Sequence, residues 1–154
     1  MIHSAIRPSL PALISFFAVI LVTSTASVAQ VQPAAASSVQ GVKWLRSAAQ
    51  AAAEAQRTGK PILIYVRSKT CHYCDLMQRD VWQNREAAQT IMANFVPLKL
   101  TREENAEAVK AMKVKGFPST LIFSPKREYL GRLDGYMPAD RFLAAIRPKE
   151  QIDR

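Results

Sequence analysis

Cys71 and Cys74 stand in the stretch Lys69-Thr70-Cys71-His72-Tyr73-Cys74-Asp75, and the 154-residue chain has no other cysteine. Any cysteine chemistry therefore happens here. Two sulfurs at this spacing can alternate between dithiol and disulfide, the thiolate being the reactive form. A structural zinc site takes about four ligands; His72 would make three, and the only other histidine, His3, falls in a segment expected to be removed. A c-type haem site needs histidine directly after the second cysteine, where this chain has Asp75. An inert disulfide closing so small a loop stabilises little. The residues thus favour redox chemistry by Cys71 and Cys74 as a catalytic pair, with no metal and no organic cofactor.

The pair needs elements that hold it. Ile62-Leu63-Ile64-Tyr65-Val66 is an apolar run bounded by Gly59-Lys60-Pro61, which predicts a short buried strand. Leu76, Met77 and Val81 follow at helical spacing, so the cysteines sit where a strand gives way to a helix. The first sulfur then lies at a helix N-terminus, where unpaired N–H groups and the dipole favour an anion. That location activates Cys71, and Cys74 falls one turn later, facing it. His72 can tune the thiolate as an imidazolium, Lys69 and Arg67 can add positive potential, and an exposed Tyr73 can pack on a docked polypeptide. Trp44, Met77 and Trp82 are expected in the core.

The start of the chain combines Arg7, an apolar run from Leu10 to Val22 and small residues at Ser27 and Ala29. That pattern is expected of a secretory signal peptide over residues 1–29, cleaved near Ala29. The run holds 13 residues and includes Pro11, whereas a bilayer span takes about 20. No cysteine follows it, which argues against a lipid anchor. The expected location is periplasmic or secreted, where disulfides persist. Residues 30–42, rich in Ala, Ser and Gln, read as a flexible tether, and 43–154 as one domain. The net charge is +9, but Lys and Arg are scattered without an aromatic-interleaved cluster. Nucleic acid is therefore not an expected partner, and the charge is read as solubility with mild attraction to acidic partners or an anionic membrane surface.

Along the chain, Trp44 to Gln56 reads as an amphipathic helix with Leu45, Ala48, Ala49, Ala52 and Ala53 inward. Asn84 is a candidate cap for a helix to about Ala93. Phe95 to Leu100 reads as a strand, at a sheet edge because Pro97 cannot donate to a ladder. Thr101-Arg102-Glu103-Glu104 reads as a capping box opening a helix with Ala108, Val109 and Met112 inward. Leu121-Ile122-Phe123 and Glu128 to Leu133 form a hairpin. Pro138 and Asp140 open a last helix carrying Phe142, Leu143 and Ile146. Alternating units followed by a hairpin imply an α/β fold, a mixed central sheet flanked by helices.

That element order, the cysteine pair at the first strand-helix junction, and Val114-Lys115-Gly116-Phe117-Pro118-Ser119-Thr120, with Pro118 44 residues after Cys74, resemble the thioredoxin superfamily over about residues 43–147. The Gly59-Lys60-Pro61-Ile62-Leu63 lead-in is similar to that of exported bacterial members. The resemblance implies a thioredoxin-like fold and a thiol–disulfide oxidoreductase. It also implies a cis Pro118 beside the sulfurs, with the backbone of Phe117 pairing with an extended substrate segment. The expected partners are client proteins with disulfides or thiols and a membrane-bound electron donor, and the expected state is a monomer. Dedicated periplasmic oxidants of the superfamily carry a helical insertion after the active-site helix, for which there is no room between Val81 and Phe95. Net reduction or shuffling of disulfides is therefore expected. Three departures stand out: the family's buried acid falls at Tyr65, so another base or water must serve; Thr70 replaces a common tryptophan; and no N-terminal strand is evident before Trp44. A disulfide oxidant, or a thioredoxin-fold module that binds a client or metal without turnover, are the rival readings.

Overall fold

The computed structural model describes residues 41–147. The expected signal peptide, most of the tether, and residues 148–154 lie outside the described residues. Five helices and four strands follow in order: α1 (Ala48–Thr58), β1 (Ile62–Arg67), α2 (His72–Met77), α3 (Arg85–Asn94), β2 (Val96–Thr101), α4 (Ala106–Ala111), β3 (Ser119–Phe123), β4 (Tyr129–Asp134) and α5 (Ala139–Ile146). A π-helical turn, Gln78–Trp82, continues α2. The strands lie in the order β2-β1-β3-β4. β1 runs parallel to β2 and antiparallel to β3, and β3 and β4 form a hairpin.

β1 is central, and its side chains alternate between two cores as strand geometry requires. Ile62, Ile64 and Val66 pack with Ala51 and Ala55 of α1, Val109 of α4, and Leu98 and Leu100 of β2. Leu63 and Tyr65 face the other way, against Met77, Val81, Trp82, Ile91 and Phe142. Full burial of each such side chain contributes roughly 1.5–3 kcal/mol, so a strand with five buried residues in six is anchored on both faces. Trp82 is the hub of the second core, with ring centroids 4.9 Å from Tyr65 and 5.0 Å from both Trp44 and Phe142. Trp44, Met77 and Trp82 all belong to this core or pack on it.

Several boundaries differ from the sequence reading. α1 begins at Ala48, because Ser47 caps it by accepting from the Gln50 N–H at 3.3 Å. Its buried residues are Ala51 and Ala55, whereas Ala48, Ala49 and Ala53 face water. An alanine-rich helix allows a stripe to be drawn on several faces, and the cap is what sets the register. Val42, assigned to the tether, donates its N–H to the Trp82 carbonyl at 2.8 Å, so packed chain precedes residue 43. Leu45 is not helical. It bridges to Leu98, donating to the Pro97 carbonyl and accepting from the Lys99 N–H, both at 2.9 Å. β2 is thus terminal among the four strands but covered at one point, and the imino nitrogen of Pro97 sits on the side away from β1. The expected capping box is a turn: the Asn105 side chain accepts from the Thr101 N–H at 3.1 Å, and α4 starts after it.

The inward face of α1 gives a direct check. Ala55→Leu forces three heavy atoms into a filled core and should cost about 1–3 kcal/mol. Ala53→Leu should stay within about 0.5 kcal/mol of wild type. Urea denaturation of both variants measures this, and equal effects would mean that the helix is rotated.

Candidate active site

β1 delivers the chain to the site, and Cys71 ends the connecting loop as the N-cap of α2. Its sulfur accepts from the Cys74 N–H at 3.2 Å, and its carbonyl accepts from the N–H groups of Cys74 and Asp75 at 3.0 and 3.2 Å. The two cysteines are joined by a disulfide, with Cα atoms 5.2 Å apart. They are not equivalent. Cys71 is partly exposed and Cys74 is fully buried. A sulfur bearing charge at position 71 would keep the Cys74 N–H and the helix end beside it, both of which favour the anion.

The charges expected to raise the potential around Cys71 are paired. Arg67 lies 3.0 Å from Asp75, and Lys69 lies 3.6 Å from Glu104. Glu103 has a role that sequence reasoning missed. Its carboxylate accepts from Ser68 Oγ and from the Lys69 N–H, both at 3.1 Å, and so fastens the loop that leads into Cys71. Burial opposes its ionisation, but these hydrogen bonds, its own N–H and neighbouring Arg102 together hold its carboxyl below the usual range. No local pattern links residues 34 or 35 positions apart, and the Thr-x-x-Glu spacing pointed to a helix cap instead.

The second loop approaches from the start of β3. The Phe117–Pro118 peptide bond is cis, Pro118 is buried, and its carbonyl accepts from the Gly135 N–H at 2.8 Å. Phe117 shares a cavity of about 320 Å³ with Thr70, Cys71, His72, Tyr73 and Arg102. The structure thus brings Cys71, His72, Tyr73 and Phe117 to one opening, while Cys74 and Pro118 do not line it. Tyr73 is 59% exposed and its ring lies 5.6 Å from that of His72. Arg102, which the sequence did not single out, places its guanidinium 5.5 Å over the Phe117 ring, within cation–π range.

Beneath the pair, the Tyr65 hydroxyl donates to the Cys74 carbonyl at 3.2 Å. Burial pushes the phenol above its ordinary value, so at neutral pH it is a hydrogen-bond donor and not a base. Lys99 sits 5.8 Å from the Tyr65 ring centroid and donates to Gln78 Oε1 at 3.3 Å. Desolvation, with Arg67 and Arg46 adding to it, pushes the Lys99 ammonium down.

Two sulfurs at the first strand-helix junction of a thioredoxin-like α/β fold, one accessible and one buried, form a site of the thiol–disulfide oxidoreductase type. Residues 48–149 match the thioredoxin-like domain family, and the chain belongs to it. It is 33% identical over 69 residues to human spermatogenesis-associated protein 20, a match covering 45% of this chain and 9% of that protein. The matched segment is thus a small part of that much longer relative. Among solved structures, a thioredoxin from Thermus thermophilus is 27% identical with a TM-score of 0.61, covering 68% of this chain and 84% of that one. The DsbH oxidoreductase has a TM-score of 0.65 at 18% identity, covering 75% and 89% of the two chains, and this likeness is one of fold.

Glu103 gives the site a pH signature. Its folded carboxyl titrates lower than an unfolded one, so the clamp on the 68–69 loop is complete above the ordinary carboxylate range and is lost as pH falls through the lowered value. The Lys69 amide resonance should therefore shift with an apparent pKa below 4.5, the ordinary value for this side chain. Glu103→Gln should abolish that titration. An amide that ignores pH in the wild type would remove the clamp.

Proposed function

We propose that this protein is an exported thiol–disulfide oxidoreductase that reduces or reshuffles disulfides of client proteins. The observation that carries this reading is the asymmetry of the pair: an accessible Cys71 sulfur at a helix N-terminus above a buried Cys74. The Cys71 thiolate attacks one sulfur of a client disulfide, forming a mixed disulfide and releasing the other client sulfur as a thiolate. The Cys74 thiolate then attacks Cys71 Sγ, forming the Cys71–Cys74 disulfide and releasing the second client thiolate. Two electrons pass to the client, and the released thiolates take up protons from water. The backbone of Phe117 pairs with the extended client segment during the exchange. His72 tunes Cys71 and Tyr73 packs on the client, consistent with their shared opening.

Periplasmic residence after cleavage near Ala29 and resupply of electrons by a membrane-bound donor complete the proposal. The signal-like pattern of residues 1–29 supports the first. For the direction of flow, the support is the short connection between α2 and β2, which holds only the π-helical turn and the ten-residue α3. There is no inserted helical domain there to engage an oxidising partner. The paired charges near Cys71 point the same way, since each exposed charge contributes at most about 1 kcal/mol, or roughly 20 mV for two electrons.

Two measurements test these statements. Cys74→Ser should accumulate mixed disulfides with client proteins, because nothing remains to resolve them, while Cys71→Ser should accumulate almost none. Equal trapping by the two variants would contradict the assigned roles. In growing cells the wild-type pair should be largely reduced when alkylated and resolved on gels. A pair found fully oxidised would reverse the direction and favour a disulfide oxidant.

A further inference from the structure

Phe117 is the ridge between two cavities. One is the opening over Cys71; the other, of about 570 Å³, lies beyond the ridge and is lined by Lys113, Lys115, Gly116, Arg132, Asp134 and Gly135 as well as Phe117. The second cavity has three cationic side chains and one carboxylate. Lys113 and Lys115 are exposed, and neither forms an ion pair among the described residues. Lys113 is held outward by the chain itself: it follows α4 with a φ of 54°, and Arg132 donates to its carbonyl and to that of Met112, at 3.2 and 2.6 Å.

The carboxylate pairs with Arg132 and leaves the two lysines unmatched. Asp134 accepts from Ser119 Oγ at 2.6 Å and lies 3.7 Å from Arg132 Nε, too far for a hydrogen bond. Arg132 Nε is buried and lacks any hydrogen-bond acceptor. Closed off from solvent, that N–H is out of reach of an incoming group, so the exposed Lys113 and Lys115 ammonium groups are what an acidic side chain would meet.

We infer that this cavity receives an acidic side chain of the client, so that clients are selected for a glutamate or aspartate on one side of the reacting cysteine. The inference rests on the oxidoreductase reading above, since a client cysteine over Cys71 places its neighbours across Phe117. An extended segment can cross the ridge in a single direction during productive exchange, so the acidic side chain belongs to one flank and not to both. Complementary charge at such a rim acts mainly on encounter and register, and salt weakens it.

The test uses the reduced full chain and a set of extended peptides carrying one mixed disulfide, with a single Glu or its Gln counterpart walked along either flank of the cysteine. At low salt the best Glu peptide should exceed its Gln counterpart by about five- to tenfold in kcat/KM, on one flank only, and the ratio should collapse at high salt. Lys113→Gln combined with Lys115→Gln should bring the ratio close to one, and Lys115→Glu should invert it. A wild-type ratio of one, equal gains on both flanks, or a ratio unmoved by the lysine variants would each overturn the inference while leaving the oxidoreductase reading intact. Exchange with no peptide of the set would overturn both.

Discussion

The structure depends on a strand that is buried on both faces and ends at the surface. β1 exchanges hydrogen bonds with β2 on one side and β3 on the other, and contributes side chains to both cores. A strand so constrained cannot slip by one residue without exchanging its two sets of side chains between the cores. The position of Cys71, four residues beyond Arg67, is thereby fixed relative to β3, whose first residues follow Phe117 and Pro118. Two loops distant in sequence meet reproducibly because both are short extensions of adjacent strands.

The surroundings of the Cys71 sulfur follow from this geometry more than from net charge. The chain is strongly basic, yet the cations nearest Cys71 each have a carboxylate partner: Arg67 with Asp75, Lys69 with Glu104, and Arg102 with Glu103 at 3.1 Å. The Lys69–Glu104 pair, exposed on both sides, contributes little to stability and is screened by salt. The backbone N–H of Cys74 is fixed by the helix and needs no side-chain ordering to stay beside the sulfur. Lys113 and Lys115, which have no ion-pair partner among the described residues, lie beyond Phe117 in a separate cavity.

The central strand, the cysteine pair and the β3–β4 hairpin were legible in the sequence because each is written locally, in a run of β-branched residues, a spacing, or a turn. Pro97 also announced an outer strand through its missing N–H. α1 was harder: six of its eleven residues are alanine, so periodicity said little, and Trp44 looked helical although it packs against Trp82 in the second core. The Glu103 clamp and the Arg102–Phe117 contact could not be read at all. The first joins residues brought together by the β1–β2 pairing and the second needs the β1–β3 pairing as well, while the local sequence around Arg102 and Glu103 suggested a helix start.

Tyr65 shows how a departure at one position is absorbed by the surrounding structure. A carboxylate there would face Trp44 and Trp82, whose rings lie 5.6 and 4.9 Å from that of Tyr65, and desolvation would penalise its charge. A phenol suits the same volume: the ring joins the aromatic cluster and the hydroxyl reaches the Cys74 carbonyl. It is held protonated by burial, so it fixes the backbone of the buried cysteine without titrating in the neutral range. Lys99 is compatible with this arrangement because its partner is the neutral Gln78 side chain and its own charged form is disfavoured by burial. Cys74 is therefore positioned by neutral hydrogen bonds, above a core in which Trp82 and Phe142 pack edge to face.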